Sequence, residues 1–215
     1  MNPATTEATQ YRLLEAAVGL FASQGFAATS VRQVCDHADA NVAAVNYHFG
    51  SKSGLYDAAI DFARAASVAR NVWVELDTGR DFWADADPET RLRRFVAMLL
   101  DHSLDPDGKP SDLGRILIHE MLDPTESFDR QVEVSIGRVF NALCDVCGFV
   151  AADRGREDLS PESIARIAFL ISAQCMYPSL VAGVAATLHP AVSLDQAGRE
   201  ILAEHIVQAA LNSLR

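Results

Sequence analysis

Four polar side chains of different chemistry fall within seven residues: the amide of Asn46, the phenol of Tyr47, the imidazole of His48 and the ammonium of Lys52. Together they donate, accept and carry positive charge, which suits a surface that recognises another molecule. Other spacings invite a catalytic or metal reading. Cys144-x-x-Cys147 has redox or half-zinc spacing, but a structural zinc needs four ligands and no second pair or nearby His completes the set. Its surroundings, Phe140 to Phe149, read as an apolar helix face, so both thiols are expected to pack as small hydrophobes. His119-Glu120 lacks the second His of a zinc-protease helix, and His102 has no ligand at a fixed spacing. Asp85 and Asp87 sit in a polar stretch and read as solvated surface. Gly-x-Ser-x-Gly, a phosphate loop and a dinucleotide fingerprint are all missing. The expectation is therefore no enzyme, no metal and no cofactor.

The elements that must position these side chains read as helices almost throughout, with no alternating strand pattern of useful length. The first runs from about Thr6 to Gln24, where Leu13, Leu14, Ala17, Leu20 and Phe21 make one apolar stripe. Gly25 suits its left-handed end, and Phe26 turns back toward the core. Thr29 or Ser30 caps a short helix from Val31 to about Ala38, and Asp39-Ala40-Asn41 connects it to a second one. Asn41 caps that second helix, Val42 to Phe49, which Gly50 stops. Ser51 caps a long fourth helix reaching about Leu76. A polar stretch, Asp77–Pro88, follows as a loop. Further helices are expected at about 88–103, 112–122, 125–151, 161–187 and 194–214, about nine in all. Ser160-Pro161 places proline at a first helical position, whereas Pro178 lies inside a helical pattern and should kink it. The fold class is all-α.

The chain has 215 residues, 49% of them apolar, enough for a sizeable core. No window reaches the ~18 uninterrupted apolar residues of a membrane span, and the N-terminal residues lack the pattern of a secretory signal. The expected compartment is the cytoplasm, without membrane attachment. The net charge of −11 argues at first against nucleic acid, but its distribution matters more. Residues 1–52 hold Arg12, Arg32 and Lys52 against Glu7, Glu15, Asp36 and Asp39, so nearly all of the acidity lies beyond them. Phosphate binding there has to be local, through few cations, helix N-termini and hydroxyls.

Two short helices joined by a tight turn and preceded by a longer helix form a helix-turn-helix, whose second helix matches the width of the DNA major groove. Residues 6–56 resemble the DNA-binding domain of the TetR/AcrR family of bacterial regulators. The resemblance rests on Leu14-x-x-Ala17-x-x-Leu20-Phe21-x-x-x-Gly25-Phe26 and Thr29-Ser30-Val31-Arg32-Gln33-Val34. It continues through Asn41 to Lys52 and Leu55-Tyr56. It implies that Ala43, Ala44, Asn46, Tyr47 and His48 occupy the recognition helix. Asn46 then faces adenine edges, and Ala43 or Ala44 touches a thymine methyl. Tyr47 and His48 are expected on phosphates, as is Lys52 in the first turn of the next helix. Thr29, Ser30 and Arg32 are expected on the backbone across the groove. Thr29, Ser30 and Ser51 serve equally well as caps, and Asn41 reads better as a cap than as a base reader. The family's usual Val-Ser-x-x-Thr/Ser opening is replaced here by Asn41-Val42-Ala43-Ala44, which removes two hydroxyls.

The expected division is a DNA-binding domain at 1–56 and a ligand-sensing, dimerising domain at 57–215. The second part resembles the CecR-like subgroup through Ile116 to Thr125 and Gln174-Cys175-Met176-Tyr177-Pro178. Two apolar stripes, Ile164 to Cys175 and Ile201 to Leu214, predict helices at 161–187 and 194–214. The resemblance implies that these pair with a second copy and set two recognition helices about one DNA turn apart. Candidate effector-pocket residues are Phe95, Met98, Leu99, His102, Leu117, Met121, Met176 and Tyr177, with Arg115, His119 or Glu120 as polar anchors. The acidic balance favours a neutral or cationic effector. The expected function is a ligand-responsive transcriptional regulator, a repressor released from pseudo-palindromic operator DNA by a small molecule. The competing reading is a helix-turn-helix protein acting as a protein-interaction module without ligand response.

Overall fold

The computed structural model describes residues 3–66, 86–105, 107–131, 133, 136–189 and 192–214. Ten helices run through them: α1 (Pro3–Ala28), α2 (Val31–His37), α3 (Val42–Phe49), α4 (Lys52–Ala66), α5 (Pro88–Ser103), α6 (Asp112–Leu122), α7 (Phe128–Gln131), α8 (Gly137–Asp153), α9 (Pro161–Leu188) and α10 (Gln196–Ser213). The fold is all-α, as its periodicity predicts; an isolated bridge, Leu104 to Pro110, is the sole extended pairing among the described residues. The helix starts follow local chemistry. Ser30, Asp87, Ser160 and Asp195 each accept a backbone N–H of the first turn, at Gln33, Thr90, Ser163 and Gly198.

The chain forms two compact units, residues 1–67 with 112–129, and residues 68–111 with 130–215. In the first, α1 packs against α2, α4 and α6. Leu13, Ala17, Phe21, Val34, Val45, Leu55, Tyr56 and Ile60 form its core, closed by Leu113 and Ile116 of α6. At Gly25 the backbone adopts φ 77°, ψ 175°, which breaks α1 internally and sends Phe26 back onto Phe21 and Tyr56. That combination of angles is essentially confined to glycine. A Cβ there would also lie 3.1 Å from His119 Nδ1.

In the second unit, α5 packs against α8, α9 and α10. Its core runs through Leu92, Phe95, Leu100, Leu143, Cys147, Ile171, Cys175, Ile206 and Leu211. Burial raises the Cys147 and Cys175 thiols to about 12, so both behave as inert packing groups. Arg199 of α10 ties the loop after α5 in place, donating to the carbonyl of Asp105 at 2.5 Å. Helix α9 continues through Pro178, with Ser179 Oγ donating to Ser103 O at 3.0 Å.

One expected element divides. The single helix predicted over 125–151 is two, α7 and α8. Thr125 delays the start, because its hydroxyl donates to Glu120 and accepts the Ser127 N–H rather than entering a helical turn. The continuation of α4 to Leu76, the loop at 77–88 up to residue 85, and Asp85 itself lie outside the described residues.

Candidate nucleic-acid interface

The recognition helix α3 has eight residues, too few to be stable alone in water, so its place depends on what holds it. Asn41 caps it, its Oδ1 accepting the Ala44 N–H at 2.9 Å. Val45 anchors it, fully buried in the core of the first unit. Gly50 closes it at φ 74°, and Ser51 then accepts the Gly54 N–H at 3.0 Å to start α4. Between α2 and α3 the chain turns at Ala38-Asp39-Ala40, with Asp39 in the left-handed region at φ 47°. Arg12 of α1 secures this turn: its Nε donates to Ala38 O at 3.0 Å and its Nη2 to Asp39 O at 3.4 Å. Sequence spacing gave no sign of this role for Arg12, since its partners lie 26 and 27 residues away.

Opposite Val45, α3 presents Ala43, Asn46 and Tyr47 to solvent; Tyr47 is 72% exposed. The Tyr47 and His48 rings meet edge to face at 5.0 Å, with His48 and Ala44 half-buried. Arg32 on α2 is exposed. Lys52 lies in the first turn of α4, its Nζ 4.2 Å from the centre of the Phe26 ring. Partial burial lowers its pKa. Ser30 is exposed but engaged, forming a reciprocal capping box with Gln33. Thr29 is placed differently from the rest. It is buried, and its hydroxyl donates to Gly25 O at 2.8 Å and Leu20 O at 3.3 Å, inside the unit and away from the exposed face.

The candidate effector residues fall in both units. Arg115, His119, Met121, Leu117 and Glu120 belong to α6 in the first. Arg115 pairs with Asp112, His119 packs on Gly25, and Met121 is exposed. Glu120 is buried and accepts from Tyr56 and Thr125. Phe95, Met98, Leu99, His102, Met176 and Tyr177 belong to the second unit. There Phe95 is a core residue, Met98, Leu99, His102 and Met176 are half-buried, and Tyr177 is 59% exposed. A separate cleft of about 370 Å³ opens between α5 and α10, with Arg93, Asp101, Arg199, Glu200 and Glu204 on its rim and Leu100 and Val207 beneath. None of these cleft residues was singled out from sequence, because their pairing depends on how two distant helices pack. Among the described residues no cluster of three His, Cys, Asp or Glu side chains is arranged to hold a metal ion.

Bacterial regulatory proteins of the tetR family match residues 13–59. The C-terminal domain of the HTH-type transcriptional dual regulator CecR matches residues 88–214. The HTH-type transcriptional repressor NicS of Pseudomonas putida is 31% identical over 94 residues, 44% of this chain and 41% of NicS. The matched stretch thus spans less than half of that relative. A bacterial regulatory protein in the tetR family from Rhodococcus RHA1 superposes with a TM-score of 0.68 at 20% identity, covering 96% of each chain. The hemolysin II transcriptional regulator HlyIIR superposes at 0.64 with 18% identity, covering 95% of this chain and 97% of the other. At such identities the two structures speak for the fold alone.

Proposed function

The chain belongs to the tetR family of bacterial regulatory proteins and carries a CecR-type C-terminal domain, and from that premise we propose that it is a ligand-responsive DNA-binding repressor, released from its operator by a small molecule. The observation that carries the reading is the split of α3 into a sealed face, Val45, and an open polar face, Asn46 and Tyr47, flanked by Arg32 and Lys52. Asn46 on the open face reads base edges, while Tyr47 and the flanking cations meet phosphate. Residues 1–52 hold three cations (Arg12, Arg32 and Lys52), one of them committed to a turn, which gives weak phosphate binding, so two subunits are needed.

The second subunit is assigned to α9 and α10, over about 161–187 and 194–214. One face of α9, through Ala168, Ile171, Cys175 and Ser179, is committed to the core of the second unit. Its other face exposes Phe169, Leu170, Tyr177, Leu180, Val184 and Leu188, a stripe at helical spacing that an aqueous monomer rarely leaves open. Pro161–Ala185 also has the length and hydropathy of a membrane span. Crossing a bilayer would pull its inner face out of the core, so a second copy of this chain is the better cover. The protein is accordingly assigned to the cytoplasm.

The effector is assigned to the second unit, around Met98, His102 and Met176. The chain passes between the units at 67/68, 111/112 and 129/130, which gives a bound effector three covalent routes to the DNA-binding unit. Switching from 1:99 to 99:1 requires about 10⁴-fold preference for the released form. The test is binding to the intergenic DNA upstream of the protein's own gene, under a salt titration, with Asn46→Ala/Tyr47→Ala as control. Saturable, sequence-dependent binding by a dimer, lost in the double variant, supports the regulator reading. A folded dimer that binds neither this DNA nor any fragment selected from the genome would favour the protein-interaction reading.

A further inference from the structure

Glu120 is 2% exposed, an unusual place for a carboxylate. Among the described residues its partners are neutral: Tyr56 Oη donates at 2.7 Å, Thr125 Oγ1 at 2.8 Å and the Thr125 N–H at 3.3 Å. A buried acid held this way specifies a geometry, because any shift strands it or its donors. The geometry leads to the DNA face in contiguous steps. Glu120 fixes the phenol of Tyr56, 64 residues away on α4. The Tyr56 ring stands 5.0 Å from that of Phe26, and Lys52, one turn before Tyr56 on the same helix, sits with its ammonium 4.2 Å over the Phe26 ring.

We propose that Glu120 is a positioning residue for DNA binding: through Tyr56 and Phe26 it sets where Lys52 presents its charge to a phosphate. The inference rests on the DNA-binding reading above and deepens it. It also gives α6 a task. Packed against α4 within the first unit, it brings Glu120 to the Tyr56 phenol.

The experiment counts phosphate contacts. The full-length protein and its variants are titrated with synthetic mixed-sequence duplex DNA from 50 to 200 mM salt. Each phosphate contact contributes a slope of about 0.9 in log affinity against log salt, or about 3.5-fold across that range. Lys52→Ala is expected to flatten the slope by one contact per subunit. Tyr56→Phe and Glu120→Leu are expected to flatten it similarly, and to add nothing when combined with Lys52→Ala. Glu120→Gln keeps an oxygen for the phenol and is expected to stay near the wild-type slope. The slope reports contacts made by folded molecules, so a loss of stability alone does not flatten it; should Glu120→Leu fail to fold, Tyr56→Phe carries the test. Wild-type slopes in Tyr56→Phe, or slopes that fall further when it is combined with Lys52→Ala, overturn the proposal while leaving DNA binding intact. A wild-type protein that does not bind duplex at 50 mM salt overturns the DNA-binding reading itself.

Discussion

Replacing Val45 with alanine and replacing its neighbour Asn46 with alanine should have opposite consequences, although the two share one turn of α3. Val45 is fully buried, and it is the single buried residue of that helix. Truncation removes two methyl groups, about 1.6 kcal/mol at ~0.8 kcal/mol per buried carbon. Incomplete collapse of the cavity raises this to about 2 kcal/mol. For a chain of this size that corresponds to roughly 4–8 °C in melting temperature. Asn46 is exposed, so Asn46→Ala should alter stability by no more than about 0.5 kcal/mol. Its effect falls on DNA instead, where a lost bidentate base contact costs about 1–3 kcal/mol, roughly 5- to 150-fold in affinity. The assays are thermal unfolding followed by circular dichroism, and binding to the selected operator. If Asn46→Ala melted as early as Val45→Ala, or Val45→Ala melted like the wild type, the division of α3 into a structural and a reading face would be wrong.

Thr29→Val keeps the shape but removes a buried hydroxyl donor, so stability should fall by about 1 kcal/mol in urea unfolding while the salt dependence of DNA binding stays unchanged. A flattened salt dependence would instead make Thr29 a phosphate contact. Leu180→Glu with Val184→Glu places charge on the open face of α9 and should give monomers by sedimentation, with helix content preserved. On acidification, stability should begin to fall at the ordinary carboxylate value near ~4 and be lost as pH drops through the depressed values below it. The sign follows from direction: the Thr90 hydroxyl and N–H hold Asp87 low, the Gly198 N–H holds Asp195 low, and Gln208 with Arg93 holds Glu204 low. Depressed carboxylates favour the fold while ionised and lose that contribution once protonated. Melting temperatures between pH 7 and pH 3 check this, and Asp87→Asn with Asp195→Asn should flatten the profile.

Sequence reasoning reached furthest where the controlling interaction is local. The spans expected at 88–103 and 112–122 coincide with α5 and α6. The caps at Ser30, Asn41 and Ser51 are bonds across three residues, within reach of spacing rules. Asp195 starts α10 two residues later than expected, again through a local cap. What stayed hidden depends on distant contacts. Nothing near Glu120 announces a tyrosine 64 residues away, and the composition around Thr29 suits a cap as well as an inward hydroxyl. The stripe read from sequence on α9, Ile164 to Cys175, is the one committed to the core at Ala168, Ile171 and Cys175, because apolar sequence alone does not say which stripe the chain covers itself.

The return of the chain to the first unit at residues 112–129 has a consequence for how the protein is made. On the ribosome, α1 to α4 emerge early, yet the residues that close their core, Leu113 and Ile116, and the acid that receives Tyr56 belong to α6. At about 5–20 residues per second, the roughly sixty residues between Ser67 and Asp129 take about 3–12 s to synthesise. For that interval the nascent recognition helix is attached to a unit whose apolar seam is still open. Only when α6 arrives does the newborn subunit acquire a finished DNA-facing surface, by which time much of α5 is already available to fold beside it.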